Sequence, residues 1–132
     1  MKFDEILKDF IIIDGHTDIP RDVFLRESRG EKDAFRSHYT ELKKAGVNIV
    51  FANIFTKGSK ETSLIEGLLE VEKLYRITEE YEDVVIIKSK KDLECVLKTG
   101  KLGLVLSLEG LEPLYGNLEL LNMYYRLGVR AG

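Results

Sequence analysis

Three side chains in the sequence have the types and positions needed to bind a divalent metal ion. His16 and Asp18 follow an apolar run at residues 10–13, and Glu109 follows a second apolar run that begins at residue 102. Imidazole nitrogens and carboxylate oxygens are common ligands of zinc and similar ions. A short His-x-Asp pair is weak evidence alone, because such residues also end strands as ordinary hydrogen-bonded polar groups.

Residues 10–18 predict a buried strand that places His16 and Asp18 side by side. Alternate residues of a strand point to the same face, so these two side chains point one way and Thr17 points the other. Both could then reach one ion beyond the end of the strand. Asp14 is a weaker candidate, either as a partner that orients the ligands or as a carboxylate that stabilises a turn.

The strand predicted at residues 101–110 has two different faces. One face carries four leucines, and the other carries Gly103, Val105, Ser107 and Glu109. In a parallel barrel, large aliphatic residues face the outer helices and small residues face the crowded interior. Glu109 ends the inward-facing row, where burial without a partner would be costly. This position favours a metal ligand or catalytic acid over a structural ion pair.

The first half of the chain is predicted to alternate between helix and strand. An amphipathic segment is expected at residues 1–9 before the first strand, and the highly charged residues 20–36 indicate a long loop over the end of that strand. A short helix is expected over residues 37–44, capped by its first serine, with a second strand over residues 47–55. His38 lies away from any strand end, so we interpret it as a surface or capping residue.

The clearest helix is predicted over residues 60–81, from apolar residues that recur at spacings of three and four. Its core face is expected to include Leu64, Leu68, Val71 and Tyr75, widened by Ile65 and Leu69. The charged residues, Glu66 and Glu70 among them, are expected to face outward. This pattern is typical of a helix that packs against a sheet.

The order of the predicted elements indicates an α/β fold. After the long helix come a strand at 84–87, a helix that starts at the capping box of Ser89, the strand at 101–110, a helix over 118–127 and a further strand from residue 129. Such alternation predicts parallel strands with right-handed crossovers. Polar residues at two strand ends, without a Gly-rich phosphate loop, favour a (β/α)8 TIM-like barrel over a doubly wound sheet.

The chain is short for a whole barrel, which needs roughly 250 residues. Its 132 residues would hold about the first three βα units and the start of a fourth strand. The composition, with 44% hydrophobic and 33% charged residues, indicates a globular protein, and a net charge of −3 argues against nucleic-acid binding. Short apolar runs argue against a membrane span, and the single Cys95 fits a reducing compartment, so we expect a cytoplasmic protein.

Four stretches together resemble the renal, or membrane, dipeptidase family of metallopeptidases. They are residues 14–18, 42–47, 103–110 and 120–130. The resemblance covers nearly the whole chain but only the N-terminal part of the family. It implies a TIM-like barrel with two zinc ions, a bridging water and hydrolysis of dipeptides, sometimes with a D-residue at the C-terminal position. By the family pattern, His16 and Asp18 bind the first ion and Glu109 bridges both.

The family's later metal and substrate residues would lie beyond Gly132. We therefore expect residues 1–132 to be the N-terminal part of one barrel domain that needs further strands from a second chain or from a missing C-terminal part. The isolated chain is expected to be inactive. Two alternatives stay open, namely a non-catalytic complementing or vestigial half-barrel, and another amidohydrolase-type metal hydrolase that acts on a different amide or ester.

Overall fold

Five parallel strands and five α-helices make up residues 10–132, the part of the chain described by the computed structural model. In chain order they are β1 (Ile13–Thr17), α1 (Ile19–Ser28), α2 (Phe35–Lys44), β2 (Ile49–Ile54), α3 (Lys60–Glu80), β3 (Val84–Ile86), α4 (Lys90–Thr99), β4 (Leu102–Leu108), α5 (Glu119–Arg126) and β5 (Val129–Ala131). A 3-10 helix, Glu112–Leu114, lies between β4 and α5. The segment predicted at residues 1–9 lies outside the described residues.

The sheet is centred on β2 and β4, and all of β2 pairs with residues 103–108 of β4. β1 pairs with the other edge of β2. The other edge of β4 is shared, because β3 pairs with its first half and β5 with its second half. Four strands therefore run side by side in the order β1, β2, β4 and β5, as the α/β prediction requires, and β3 is a short additional strand.

One face of the sheet forms the main hydrophobic core with α1 and α3. All four leucines of β4 are buried there, as predicted, together with Val50, Ala52 and Ile54 of β2. Full burial of a leucine side chain contributes roughly 1.5–3 kcal/mol to stability. The core therefore holds the helices on the leucine face of β4.

The opposite face of the sheet is covered at its N-terminal end by α4. Ile49 of β2 forms a small cluster there with Ile87 and Val96. Gly103 allows this close approach, because a β-carbon on it would lie 2.5 Å from Cδ1 of Ile87 and 3.2 Å from Val96. The C-terminal end of the same face carries the polar residues described below.

Residues 20–36 are not the long loop that their charge indicates. α1 begins at Ile19, with Pro20 in the first turn, where its missing N–H is not needed. Ile19 and Val23, one turn apart, are buried on one side. The charged residues pair along the helix, as Arg26 and Asp22 do at 3.1 Å. The loop prediction was wrong because it relied on the high density of charged residues. A helix that buries only a narrow stripe of residues also has a mostly charged sequence.

Two predicted element starts are also wrong. α2 begins at Phe35, after Ala34, so that Ser37 lies inside the helix and does not cap it. β1 begins at Ile13, and Phe10 and Ile13 are 63% and 54% exposed instead of buried. Within residues 10–132, β1 has a strand neighbour on one side only, which explains this exposure.

α3 occupies almost the range predicted, and its predicted core face is confirmed in part, because Val71 is buried and Leu64 and Tyr75 pack against the core. The rest of the buried face of α3 is different. Its buried residues are Ser63, Gly67, Glu70, Val71, Leu74 and Ile77, whereas Ile65, Leu68 and Leu69 are exposed. Gly67 lets α3 approach the 3-10 helix closely, since a β-carbon on it would lie 3.0 Å from Pro113. Small residues thus determine which face of α3 packs against its neighbours. Glu70, which was expected to face outward, is fully buried.

Capping residues define α4 as the sequence predicts. The Ser89 hydroxyl accepts a hydrogen bond from the Asp92 amide, and Gly100 ends the helix in the left-handed conformation, with φ at 68°. Among residues 10–132, no helix is both long enough and apolar enough to cross a membrane.

Candidate metal site

A β-bulge in β1 aims His16 at the face of the sheet opposite the main core. Asp14 pairs with Val50 and Thr17 pairs with Ala52, so β1 takes three steps where β2 takes two. Val50 and Ala52 both belong to the main core, hence Thr17 points to that side. His16, one residue earlier, points to the other side. Without the extra residue, His16 would share the face of Asp14 and would point at the main core.

Asp18 is the N-cap residue of α1, yet its side chain makes no capping hydrogen bond. Its Oδ1 lies 3.7 Å from Nε2 of His16. Asp14 behaves differently, because its Oδ1 accepts a hydrogen bond from the backbone N–H of His16 at 3.1 Å. This contact agrees with both interpretations of Asp14, a partner that orients the ligands and a carboxylate that stabilises the turn.

Glu109 completes a group of three. Its Oε2 lies 3.0 Å from Nε2 of His16, yet this buried oxygen has no hydrogen-bond partner among the described residues. His16, Asp18 and Glu109 each offer one atom, and these atoms all lie within 4.8 Å of one another. Ligand distances of about 2.0–2.2 Å place two ligands of a tetrahedral zinc ion roughly 3.3 Å apart. The donor atoms and their spacing therefore fit a zinc ion.

The three side chains enclose one side of this position only. Those of His16 and Asp18 are 61% and 59% exposed, and that of Glu109 is 40% exposed. A catalytic zinc ion is typically held by three protein ligands and keeps a further position for water or substrate. The arrangement thus has the ligand number of a catalytic site and leaves room for further groups.

Asn53 of β2 is a buried polar residue on the same face of the sheet as Glu109, and the sequence interpretation missed it. It is 3% exposed, and its Nδ2 has no hydrogen-bond partner within residues 10–132. It pairs in register with Ser107, two residues before Glu109, so it shares the face of that carboxylate. The sequence does contain a signal for this residue. Ile49, Phe51 and Asn53 alternate along β2 on one face, and Asn53 is the polar residue among them.

Glu70 forms a buried ionic group on the main-core side of the sheet. Its Oε2 accepts the backbone N–H of Phe55 at 2.9 Å, and its Oε1 lies 3.4 Å from Nη1 of Arg21. The same Arg21 nitrogen donates to Glu66 at 2.6 Å. Burial raises the pKa of Glu70 to about 7, although both hydrogen bonds act to lower it. No local pattern indicates this group, because Arg21 and Phe55 lie far from Glu70 along the chain.

His38 lies on α2 and is not part of the metal group. Its Nε2 is 2.7 Å from Oδ2 of Asp22 on α1. This contact gives the partly buried His38 a partner on a neighbouring helix.

The sequence is similar to a family of peptidases. Residues 1–131 match the family model of membrane dipeptidases, peptidase family M19. Dipeptidase 3 of Macaca fascicularis is 24% identical over 134 residues, which cover 95% of this chain and 27% of that protein. Dipeptidase 3 of Homo sapiens is 23% identical with the same coverage. The chain thus spans about a quarter of the length of these relatives.

Solved structures show the same fold. A dipeptidase described as a metallopeptidase of family M19 superposes with a TM-score of 0.79 at 16% identity, over 93% of this chain and 42% of that one. An amidohydrolase from Pseudomonas aeruginosa superposes with a TM-score of 0.69 at 14% identity, over 98% of this chain and 35% of that one. The predicted fold class, part of a (β/α)8 TIM-like barrel, is confirmed. With the family model matched over residues 1–131, the chain belongs to the membrane dipeptidase family, peptidase family M19.

Proposed function

We propose that this chain supplies His16, Asp18 and Glu109 to a zinc site that hydrolyses dipeptides. The observation that carries the proposal is the convergence of three ligand atoms within 4.8 Å. The names of the two Dipeptidase 3 relatives and of the solved M19 metallopeptidase support the reaction class. Zinc chemistry at this position would supply an activated water and a polarised scissile carbonyl group.

The residues of this chain have separate tasks in the proposed site. His16 offers a neutral nitrogen ligand, and the carboxylates of Asp18 and Glu109 offset the charge of a divalent ion. Glu109 is the candidate bridging ligand of a two-metal site, because a carboxylate has two oxygens that can bind different ions. Asn53 offers a buried N–H donor on the same face of the sheet as Glu109, suited to a substrate carbonyl group or a water molecule.

We further propose that residues outside this chain complete the site, on the remaining strands of the barrel. The exposed ligands and the coverage of 27% of the curated relatives support this view. Large apolar residues are also exposed beyond β4 and on α5, where Leu111 is 64%, Leu118 76% and Tyr125 60% exposed. The strands would come from a second chain, in a two-chain complex or a higher oligomer, or from a longer polypeptide. The 132-residue chain alone is then expected to be inactive.

Metal binding by the purified chain tests the ligand assignment directly. Titration with Co²⁺, followed by its visible absorption, is expected to show binding by the unaltered protein. His16→Ala and Glu109→Gln are each expected to weaken it by at least roughly tenfold, in line with the effect of losing groups around a metal. His38→Ala, the other histidine of the chain, is the matched control and keeps full affinity. Unchanged affinity in His16→Ala would show that the opening motif is structural.

Co-purification from the source cells tests how the enzyme is completed. A stoichiometric partner of dipeptidase-like sequence, with two metal ions per pair and activity on dipeptides, would support the proposal. In that complex, Glu109→Gln should abolish hydrolysis while leaving assembly intact. A stable homo-oligomer without metal would instead favour a non-catalytic half-barrel.

A second candidate, another amidohydrolase reaction, has support from the fold shared with the Pseudomonas aeruginosa amidohydrolase. A substrate panel separates the two candidates on the completed enzyme. Turnover of L,L- and L,D-dipeptides supports a dipeptidase. Turnover of a lactone or phosphoester, together with inactivity on every dipeptide, would contradict it.

A further inference from the structure

One buried carboxylate on α3 contacts the helix that follows Asp18 and a peptide group that is hydrogen-bonded to the backbone of Glu109. Glu70 is fully buried, and its two oxygens face different partners. Oε2 accepts the N–H of Phe55, the first residue after β2, at 2.9 Å. Oε1 lies 3.4 Å from Nη1 of Arg21 in the first turn of α1.

The contact between Glu70 and Arg21 connects Glu70 with the backbone next to Asp18. α1 begins directly after Asp18, whose carboxylate is not held by a capping hydrogen bond. Its location therefore depends on how the first turn of α1 is held. Arg21 ties this turn to α3 through Glu70 and through Glu66, whose Oε2 lies 2.6 Å from the same arginine nitrogen. Movement of Arg21 would move the backbone that carries Asp18.

The contact between Glu70 and Phe55 connects Glu70 with the backbone of Glu109. The N–H of Phe55 and the carbonyl group of Ile54 belong to one peptide group. That carbonyl oxygen accepts the backbone N–H of Glu109 at 3.0 Å. Glu70 thus bonds one side of a peptide group whose other side bonds the backbone of Glu109. Hydrogen bonds in such a chain polarise and strengthen one another.

We propose that Glu70 is a positioning residue for the metal site, which sets the separation of Asp18 and Glu109 through Arg21 and the Ile54–Phe55 peptide group. This inference rests on the proposed function, since it takes Asp18 and Glu109 to be metal ligands. Glu70 itself lies on the main-core side of the sheet and does not touch the ion.

A positioning role and a stabilising role make opposite predictions for Glu70→Gln. Glutamine keeps an oxygen that can accept the N–H of Phe55, but it loses the charge that attracts Arg21. A neutral amide also avoids the cost of burying a carboxylate, so the variant should fold at least as well as the unaltered protein. Metal affinity should nevertheless fall, because the first turn of α1 is held less firmly.

The test is Co²⁺ affinity of the full chain at pH 8, measured by visible absorption alongside the urea midpoint without metal. We expect roughly tenfold weaker binding for Glu70→Gln, the lower end of the effects seen for groups that orient metal ligands. Glu79→Gln is the matched control, because Glu79 is an exposed glutamate of the same helix. It should bind Co²⁺ as the unaltered protein does.

Arg21→Lys provides a second variant if Glu70→Gln does not fold. Lysine keeps the positive charge but lacks the planar fork that contacts two carboxylates, so a similar loss of affinity is expected. Full affinity in a folded Glu70→Gln or Arg21→Lys protein would overturn the positioning role and leave the proposed metal site intact. Absence of Co²⁺ binding by the unaltered protein would overturn both.

Discussion

His16 of β1 and Glu109, the first residue after β4, meet across β2, although β1 and β4 are not neighbours. β1 and β4 both pair with β2, which places their backbones roughly 9–10 Å apart. Nε2 of His16 and Oε2 of Glu109 are nevertheless only 3.0 Å apart. Oε2 of Glu109 has no hydrogen-bond partner among the described residues, so it stays available to the proposed metal ion.

Zinc is expected to stabilise the folded chain through this pair. A ligand that binds only the folded state raises the free energy of unfolding by about 2.7 kcal/mol at a concentration of roughly 100 times its Kd. Urea unfolding with Zn²⁺ and with EDTA measures the difference. His16→Ala should remove it, whereas His38→Ala should keep it. Equal urea midpoints with and without zinc in the unaltered protein would contradict the proposal of a zinc site.

Glu70 should make stability fall as the pH rises towards neutral. Burial raises its pKa to about 7 from an ordinary value of 4.5, despite the nearby Arg21. Between these values the carboxyl is protonated in the folded chain and ionised in the unfolded chain, so folding takes up a proton. The free energy of unfolding then decreases with rising pH, by roughly 1–3 kcal/mol over the whole interval.

Glu70→Gln removes this pH dependence, because an amide does not titrate. Urea unfolding of the variant and the unaltered protein at pH 5 and pH 8 isolates the effect from other carboxylates. The difference in free energy of unfolding should shift in favour of the variant as the pH rises. A difference that stays constant between the two pH values would show that Glu70 titrates normally. Glu79→Gln, on the exposed side of α3, should show a constant difference.

Tyr124→Phe should leave stability unchanged or raise it by about 1 kcal/mol. The hydroxyl of Tyr124 is buried and has no hydrogen-bond partner within the described residues, so its removal relieves an unmatched desolvation cost. Burial and the charge of Glu70 raise the pKa of Tyr124 to about 12, which keeps the phenol neutral. Thermal or urea unfolding measures the change.

Tyr75→Phe is the contrasting variant. The hydroxyl of Tyr75 donates to the carbonyl oxygen of Leu127 at 2.6 Å, so its loss should destabilise the chain by about 1 kcal/mol. A comparable loss in Tyr124→Phe would show that the Tyr124 hydroxyl finds a partner in solution.

Gly103→Ala should loosen the packing of α4 against the sheet. The added methyl group would lie 2.5 Å from Cδ1 of Ile87, and overpacking of this kind typically costs about 1–3 kcal/mol. Urea unfolding should show the loss. Ile87→Val removes the closest atom, so the double variant should recover part of the stability. A neutral Gly103→Ala would show that the Ile87 side chain rearranges freely.

Much of the fold could be predicted from local sequence. The period-two alternation of residues 101–110 correctly placed the four leucines in the core, and the capping serine and terminal glycine correctly bounded α4. The charged stretch 20–36 could not be interpreted in this way, because α1 buries only a narrow stripe and its other residues resemble a loop in composition.

The sequence by itself determined which residues could bind a metal ion and at which strand ends they lie. Residue type and alternation are local properties, so His16, Asp18 and Glu109 could be proposed together. Only the tertiary structure decided how they face one another. The β-bulge that turns His16 away from the main core depends on pairing with β2, 33 or more residues along the chain.

The burial of Glu70 was also decided by tertiary structure. The phase of α3 follows from contacts of Gly67 with Pro113 and Tyr124, which lie on distant elements. These contacts fix the orientation of α3, although it leaves exposed the leucines that the local pattern predicts to be buried. A helix periodicity records which residues are apolar, but the neighbouring elements determine which face the helix presents to them.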